Sequence, residues 1–408
     1  MSKNGNNNFN HTQELNVTAL FPEPLNSVIL NALFENATDI YINAVPNGHV
    51  LLFRVDGILH KKTLIPRGEG RRLLNQIKAE ANIGVIHLLA AAEGDIHFRE
   101  SNTQRQIRVT MIPVGGGESA HLRFLSLPEQ QWNMDTLGFS EQDKGTISDT
   151  LASLNGLVLV TGITGSGKTT TMYSIASLQD MQQLAAYSIE DPVEFDLPYA
   201  QQMEVNERQG LSMHEGLRTI LRMNPDLIMI GEIRDKDSAI VATRAALSGR
   251  LVLATIHAQD AAGAVDALHY LGVPYYIIGG SLRLVIAQNL VRKLCDSCKQ
   301  ENELCGDERE LFLKNEIEPP EKLFAAIGCE GCNGYGYKGQ IGIFETARIS
   351  PDIAQKIASG IHQEQLREYF RNNRVNTIIA DALNKVKEGI TSIQEIYRVT
   401  GLSFDAQK

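Results

Sequence analysis

The sequence predicts a multidomain protein: a three-layer α/β domain on a parallel-rich sheet, preceded by a smaller α+β domain. Two observations define the larger part. Continuous apolar runs recur at residues 157–160, 185–189, 227–230 and 251–256, as expected of strands buried on both faces of a parallel sheet. Helix-compatible stretches separate them, the alternation that produces α/β layering. The first third differs, because its short strand-like segments pair around turns. A length of 408 residues accommodates two or three domains at roughly 150 residues each.

Residues 1–24 are polar and expected to be flexible. The α+β domain is expected over residues 25–128. Within it, residues 39–43 and 50–56 read as strands joined at Pro46-Asn-Gly48, and residues 71–81 carry apolar side chains at helical spacing. Two further strands, 106–114 and 120–125, flank the turn Gly115-Gly-Gly117. Residues 129–138 read as a linker, and residues 139–408 as the α/β domain. After Asn289 a cysteine-bearing, glycine-rich segment interrupts the alternation, giving an expected insertion over 290–343. Helices over 353–359, 363–372 and 378–387 make up a C-terminal helical region at 350–401.

Composition narrows the class. Hydrophobic residues make up 43% of the chain, which excludes wholesale disorder. The formal charge of −10 disfavours a basic nucleic-acid-binding surface, so no direct nucleic-acid partner is expected. No apolar run approaches the ~20 residues of a membrane span, and the asparagine-rich start lacks a signal-peptide core. Five cysteines are too few for a secreted disulfide scaffold, so the expected location is cytoplasmic.

The string Gly162-Ile163-Thr164-Gly165-Ser166-Gly167-Lys168-Thr169 fits G-x-x-x-x-G-K-[ST], with a strand before it and helix formers after it. Backbone N–H groups can converge on phosphate oxygens only where glycine permits the dihedrals, and the following helix directs its positive end there. Lys168 is expected to bridge the β- and γ-phosphates and the Thr169 hydroxyl to hold Mg²⁺. The guanine-reading N-K-x-D element is missing. Its nearest match, Asn384-Lys-Val-Lys387, lacks the aspartate, so ATP is favoured.

Two acidic clusters follow apolar strands. Asp226-Leu-Ile-Met-Ile-Gly-Glu232 presents Glu232 at a strand end, and Ser188-Ile-Glu190-Asp-Pro-Val-Glu194 presents a second set. Such a pair suits hydrolysis, with one acid near Mg²⁺ and another acting on water, and composition leaves open which does which. His257 ends a third strand. It is placed to sense a γ-phosphate, although a strand-end histidine more often serves structure. Cys295-x-x-Cys298 and Cys329-x-x-Cys332 have the spacing of a four-thiolate structural zinc site, with reduced, unligated thiols as the alternative. Cys305 has no such partner.

Together these motifs resemble the secretion and pilus-assembly ATPases of type II secretion, type IV pilus and DNA-uptake systems. The likeness runs from about residue 25 to 401. It takes in the phosphate loop, an Asp box at 188–195, a Walker B at Gly231-Glu-Ile-Arg-Asp235, a His box at 251–258, the cysteine pairs, and N-terminal strings at 37–41 and 54–57. The departures are Ile163 for a common proline, Tyr41 and Arg250 for histidines, and Ala258-Gln-Asp260 for Thr-Asn-Asp. The resemblance implies a RecA-like P-loop domain in a homohexameric motor, bound peripherally to the inner membrane through a platform protein and acting indirectly on pilin-like subunits. It implies ATP and Mg²⁺ as ligands, structural Zn²⁺, and Glu190 and Glu232 as the catalytic carboxylates. Arg108 and Arg123 match its N-terminal arginine pair, and Arg218 and Arg222 the pair in the ATPase domain. The long assembly members often carry an additional N-terminal docking domain, whereas only about two dozen residues precede the first domain here, which leaves the mode of docking open. A retraction motor is the alternative within the class, disfavoured by the cysteine pairs. A non-motor nucleotide switch is the alternative outside it.

Overall fold

A computed structural model describes residues 21–84, 89–100, 103–125 and 133–401. The chain divides into two compact units, Met1–Glu129 and Gln130–Lys408. Most of the stretch expected to be flexible, residues 1–20, lies outside the described residues, as do residues 129–132 of the expected linker. The rest of that linker forms a one-turn helix, Met134–Leu137, because the Asn133 side chain caps it by accepting from the Asp135 N–H.

The N-terminal unit contains α1 (Leu25–Phe34), β1 (Asp39–Val45), β2 (Gly48–Val55), β3 (Ile58–Pro66), α2 (Arg67–Glu80), β4 (Ala92–Glu100), β5 (Thr103–Val114) and β6 (Gly117–Phe124). The strands form one antiparallel sheet in the order β3-β2-β1-β6-β5-β4. Leu25 and Ile29 of α1 and Leu73 and Ile77 of α2 bury against Ile40, Phe53, Val109 and Leu122 of the sheet. Strands β3 and β4 were not foreseen. Both are edge strands, and charged residues such as Lys61, Lys62, Asp95 and Arg99 hide the apolar alternation that marks the inner strands.

The C-terminal unit opens with α3 (Met134–Leu137), α4 (Glu141–Leu151), β7 (Gly156–Thr161) and α5 (Lys168–Ala176). It continues with β8 (Ala186–Glu190), β9 (Gln201–Glu204), α6 (Met213–Leu221), β10 (Leu227–Ile230), α7 (Lys236–Leu247) and β11 (Leu251–Ile256). Next come α8 (Ala261–Tyr270), α9 (Tyr275–Ser281), β12 (Leu282–Leu294), β13 (Gln300–Glu303), α10 (Gly306–Lys314), β14 (Lys322–Ala325) and β15 (Tyr337–Arg348). Helices α11 (Pro351–Ala358), α12 (Gln363–Asn372), α13 (Ile378–Lys387) and α14 (Ile393–Thr400) close it.

The main sheet runs β15-β12-β7-β11-β10-β8-β9, parallel except for the antiparallel β12–β15 pair. The four apolar runs are therefore four adjacent central strands. Their alternate residues supply two cores. Leu157, Leu159, Ile228, Ile230, Val252 and Ala254 pack under α6 to α9, while Val158, Val160, Met229 and Leu253 pack under α4 and α5. This is the three-layer arrangement that the sequence predicted. The strand pattern, however, does not stop at Asn289. Strand β12 continues to Leu294, next to Cys295, and β15 begins five residues after Cys332, so strands of the main sheet extend into residues 290–343 from both ends.

Candidate functional site

Strand β7 ends at Thr161, and the chain turns through the glycine-rich loop into α5. Gly162, Gly165 and Gly167 have φ of +153°, +78° and +83°. A Cβ on Gly162 would lie 2.3 Å from the Gln288 carbonyl oxygen and 2.5 Å from Ser166 Oγ, so this turn admits only glycine. The Gln288 side chain, from β12, donates to the Ser166 carbonyl at 2.5 Å and braces the loop from outside. Ile163, Thr164 and Gly165 are exposed, while Thr169 is half-buried in the first turn of α5. Lys168 folds back, donating to the carbonyls of Gly162 at 3.0 Å and Ile163 at 3.2 Å. Burial lowers its pKa, although the negative charge of Glu232 pulls the other way.

Two strand ends meet this lysine. Glu232 follows β10 and His257 follows β11, and His257 Nε2 contacts Glu232 Oε1. On the other side of its ring, Nδ1 lies 3.2 Å from the Gly162 carbonyl and 3.4 Å from Lys168 Nζ. Arg234 donates to the second Glu232 oxygen at 2.5 Å and lies 3.6 Å from Asp191. Thr161 and Thr255 lock the neighbouring turns by donating to the carbonyls of Ala258 at 3.0 Å and Gly231 at 2.6 Å. The structure thus brings Lys168, Glu232 and His257 together at the carboxyl edge of a parallel sheet, where open α/β sheets bind their ligands.

Glu190 lies at the end of the next strand, β8, but in a different setting. It is 1% exposed and accepts from Tyr173 Oη and Ser188 Oγ, each at 2.5 Å, and from Gln202 Nε2 at 3.2 Å. Burial and the Glu190 charge push the Tyr173 phenol far above its ordinary range. Gly231 connects the two acids, since a Cβ there would come within 3.2 Å of Glu190 Cα.

The four arginines fall into two units. Arg218 lies exposed on α6, 3.8 Å from Glu215, and Arg222 caps the same helix with one nitrogen 3.5 Å from Thr219 Oγ1. Arg108 and Arg123 are direct cross-strand partners on β5 and β6. Arg123 donates to Asp39 at 2.9 Å, and Arg108 lies 3.7 Å from Asp95. Burial raises the Asp39 carboxyl, but hydrogen bonds from His121, Arg123 and Thr38 outweigh it and hold the pKa at about 2.

The cysteine pairs converge. The four Sγ atoms lie within 4.8 Å of one another, with separations of 3.9 Å for Cys295–Cys329, 3.8 Å for Cys298–Cys332 and 3.7 Å for Cys329–Cys332. Zn–S bonds of about 2.3 Å in a tetrahedron set the sulfurs about 3.8 Å apart, so the cluster fits one zinc ion. The N–H groups of Cys329 and Gly336 point at Cys332 Sγ, each at 3.2 Å, the usual support for a thiolate. Cys305 stands apart, exposed, at the start of α10.

Sequence reasoning missed Tyr173, Gln202, Gln288 and the contacts of Arg234. Tyr173 sits among apolar residues of α5 and reads as core, while Gln202 and Gln288 belong to no motif.

A glycine-rich phosphate loop at the edge of a parallel sheet, met there by a lysine, a carboxylate and a histidine, defines a P-loop nucleotide-binding protein. The chain belongs to the family described as type II/IV secretion system protein, whose family model matches residues 15–398. Type II secretion system protein E of Pseudomonas aeruginosa is 36% identical over 380 residues, 92% of this chain and 74% of that protein. The type IV pilus assembly ATPase PilB of the same organism is 34% identical over 381 residues, covering 92% and 67%. Among solved structures, the Legionella pneumophila ATPase DotB superposes with a TM-score of 0.66 at 20% identity, covering 93% of this chain and 95% of that one. The pilus retraction motor PilT with bound ADP gives 0.63 at 22% identity, covering 92% and 96%. At those identities the two structures establish the fold.

Proposed function

We propose that the chain is the ATP-hydrolysing subunit of a homohexameric motor. It would power pilus assembly or type II-like secretion from the cytoplasmic face of the inner membrane. The observation that carries this reading is the convergence of Lys168, Glu232 and His257 on the phosphate loop. The relatives named as assembly ATPase and type II secretion protein support it. The described residues include no helix long and apolar enough to cross a membrane.

The contacts at the loop and the family resemblance support the following roles. Phosphate oxygens replace the Gly162 and Ile163 carbonyls as acceptors for Lys168, and the free N–H groups opening α5 hold the same oxygens. Thr169 and Glu232 are the groups placed to hold Mg²⁺, which neutralises phosphate charge when bound. Glu232 orients and deprotonates the attacking water, and His257 links that carboxylate to the loop. Glu190 supports the site from the buried end of β8. Arg108, Arg123, Arg218 and Arg222 supply cations by domain closure or from a neighbouring subunit. The cysteine cluster holds a structural zinc ion at the end of the β12–β15 pair.

Steady-state phosphate release, paired with light scattering for mass, tests the reading. ATP turnover should rise with assembly and disappear in Lys168→Ala, which keeps its fold because the ammonium contacts only two loop carbonyls and His257, none of them in the core. An assembled wild-type ring that binds ATP without turnover would instead identify a nucleotide switch.

A further inference from the structure

The N-terminal unit contains a concavity that the motor reading leaves unused. It lies between α2, the start of β2 and the turn of the β5–β6 hairpin, and has a volume of about 160 Å³. Its charged lining consists of Arg67, Arg71, Lys78 and Glu118, with His49 in the wall. Lys78 Nζ sits 2.7 and 2.6 Å from the two Glu118 oxygens, so that buried pair neutralises itself. Arg67 and Arg71 lie one helical turn apart, are exposed, and make no ion pair among the described residues. The cavity therefore carries an excess of positive charge on a chain whose formal charge is −10.

His49 is the second, independent feature. Its side chain is 6% exposed, and among the described residues neither ring nitrogen has a hydrogen-bond partner of good geometry, the main chain of Glu118 being the polar group that acts on the ring. The ring is wedged against α2, where a Cβ on Gly70 would lie 2.2 Å from Nδ1. Burial lowers its pKa, against the pull of the Glu118 main chain and with the charge of Arg67, and in either protonation state the ring has an N–H to donate. A buried donor without an acceptor is costly, and an oxygen in the cavity would relieve it. Helix α2 adds its own N-terminus, since Pro66 provides no side-chain cap for the first N–H groups of this 14-residue helix. A Cβ on Gly117 would meet nothing within 4 Å, so the hairpin turn leaves its side of the cavity open.

We propose that this cavity binds a small phosphate anion, inorganic phosphate or a simple phosphomonoester, through Arg67, Arg71 and His49. Guanidinium groups match phosphate oxygens in a bidentate fork, and His49 supplies the inner donor. The space falls below the roughly 300–1,000 Å³ of sites for drug-sized ligands, so it suits one phosphate group. Its lining residues are not those of the phosphate loop, and it does not depend on the motor reading.

Calorimetric titration of the full chain with inorganic phosphate tests the proposal. Saturating Mg-ADP is present in every sample to occupy the 162–169 loop. The wild-type chain should bind one phosphate, and Arg67→Gln/Arg71→Gln should bind it about tenfold more weakly or worse, with ADP affinity unchanged. Both arginines are exposed, so the double variant should keep its fold, as circular dichroism would verify. Absence of wild-type binding at millimolar phosphate, or equal binding by the two chains, would overturn the assignment.

Discussion

Replacing Tyr173 with phenylalanine probes how the interior of the C-terminal unit holds Glu190. The Tyr173 hydroxyl is one of three neutral donors to a carboxylate that is 1% exposed, at 2.5 Å. Phenylalanine keeps the ring and its edge-on packing against Phe195, at 5.9 Å and 77°, and removes only the hydroxyl. No large cavity opens, so the loss is that of a hydrogen bond to a buried charge, about 1.5–3 kcal/mol. Gln202 also loses a partner, because its amide donates to the same hydroxyl at 3.0 Å. Urea unfolding followed by circular dichroism should show a lower midpoint for the larger unit's transition. A double-mutant cycle with Glu190→Gln isolates the pair and should return a coupling above ~1 kcal/mol. Additive effects, within about 0.5 kcal/mol, would refute the view that Tyr173 holds this carboxylate.

Three further outcomes are expected. Elemental analysis should find one zinc per chain, and Cys329→Ser should lose it and weaken protection of residues 295–336 in hydrogen exchange; metal-free protein with unchanged protection would contradict the cluster geometry. Burial pushes the Glu345 carboxyl up to about 7 against the Ala261 N–H, while the unfolded chain ionises near 4.5. The unfolded state therefore loses its proton first, and stability should fall by about 3 kcal/mol as pH rises across that window. Glu345→Gln should flatten this dependence in urea titrations at pH 4 and 8, and an equal decline in both chains would exclude Glu345 as its source. Gly162→Ala should abolish nucleotide binding, measured with a fluorescent ATP analogue, because its Cβ would lie 2.3 Å from a main-chain oxygen; retained affinity would mean that the loop can relax around it.

The phosphate loop was legible because backbone geometry fixes its glycines, and the central strands because burial on both faces leaves only apolar residues in 227–230 and all but Thr255 apolar in 251–256. The convergence of the cysteines was legible from their paired spacing. Features set by distant contacts were not. Strands β3 and β4 carry charges because they are edges, and β12 runs on to Leu294 although the cysteine-bearing segment reads as ending the pattern after Asn289. Gln288 reaches the loop from 122 positions away in sequence, and no local pattern predicts that. The two strand-end acids looked equivalent in sequence. The structure separates them, placing Glu232 beside Lys168 and His257 and sealing Glu190 behind Tyr173 and Ser188.

The central claim is that the cluster at the phosphate loop hydrolyses ATP, with Glu232 as its acting carboxylate. The most direct test is steady-state phosphate release by wild type and Glu232→Gln, at matched assembly and with ATP binding measured in parallel. Glu232→Gln should retain binding and lose turnover by about 10²-fold or more, the scale of a lost general base. Undiminished turnover in Glu232→Gln, or none in the assembled wild type, would contradict it.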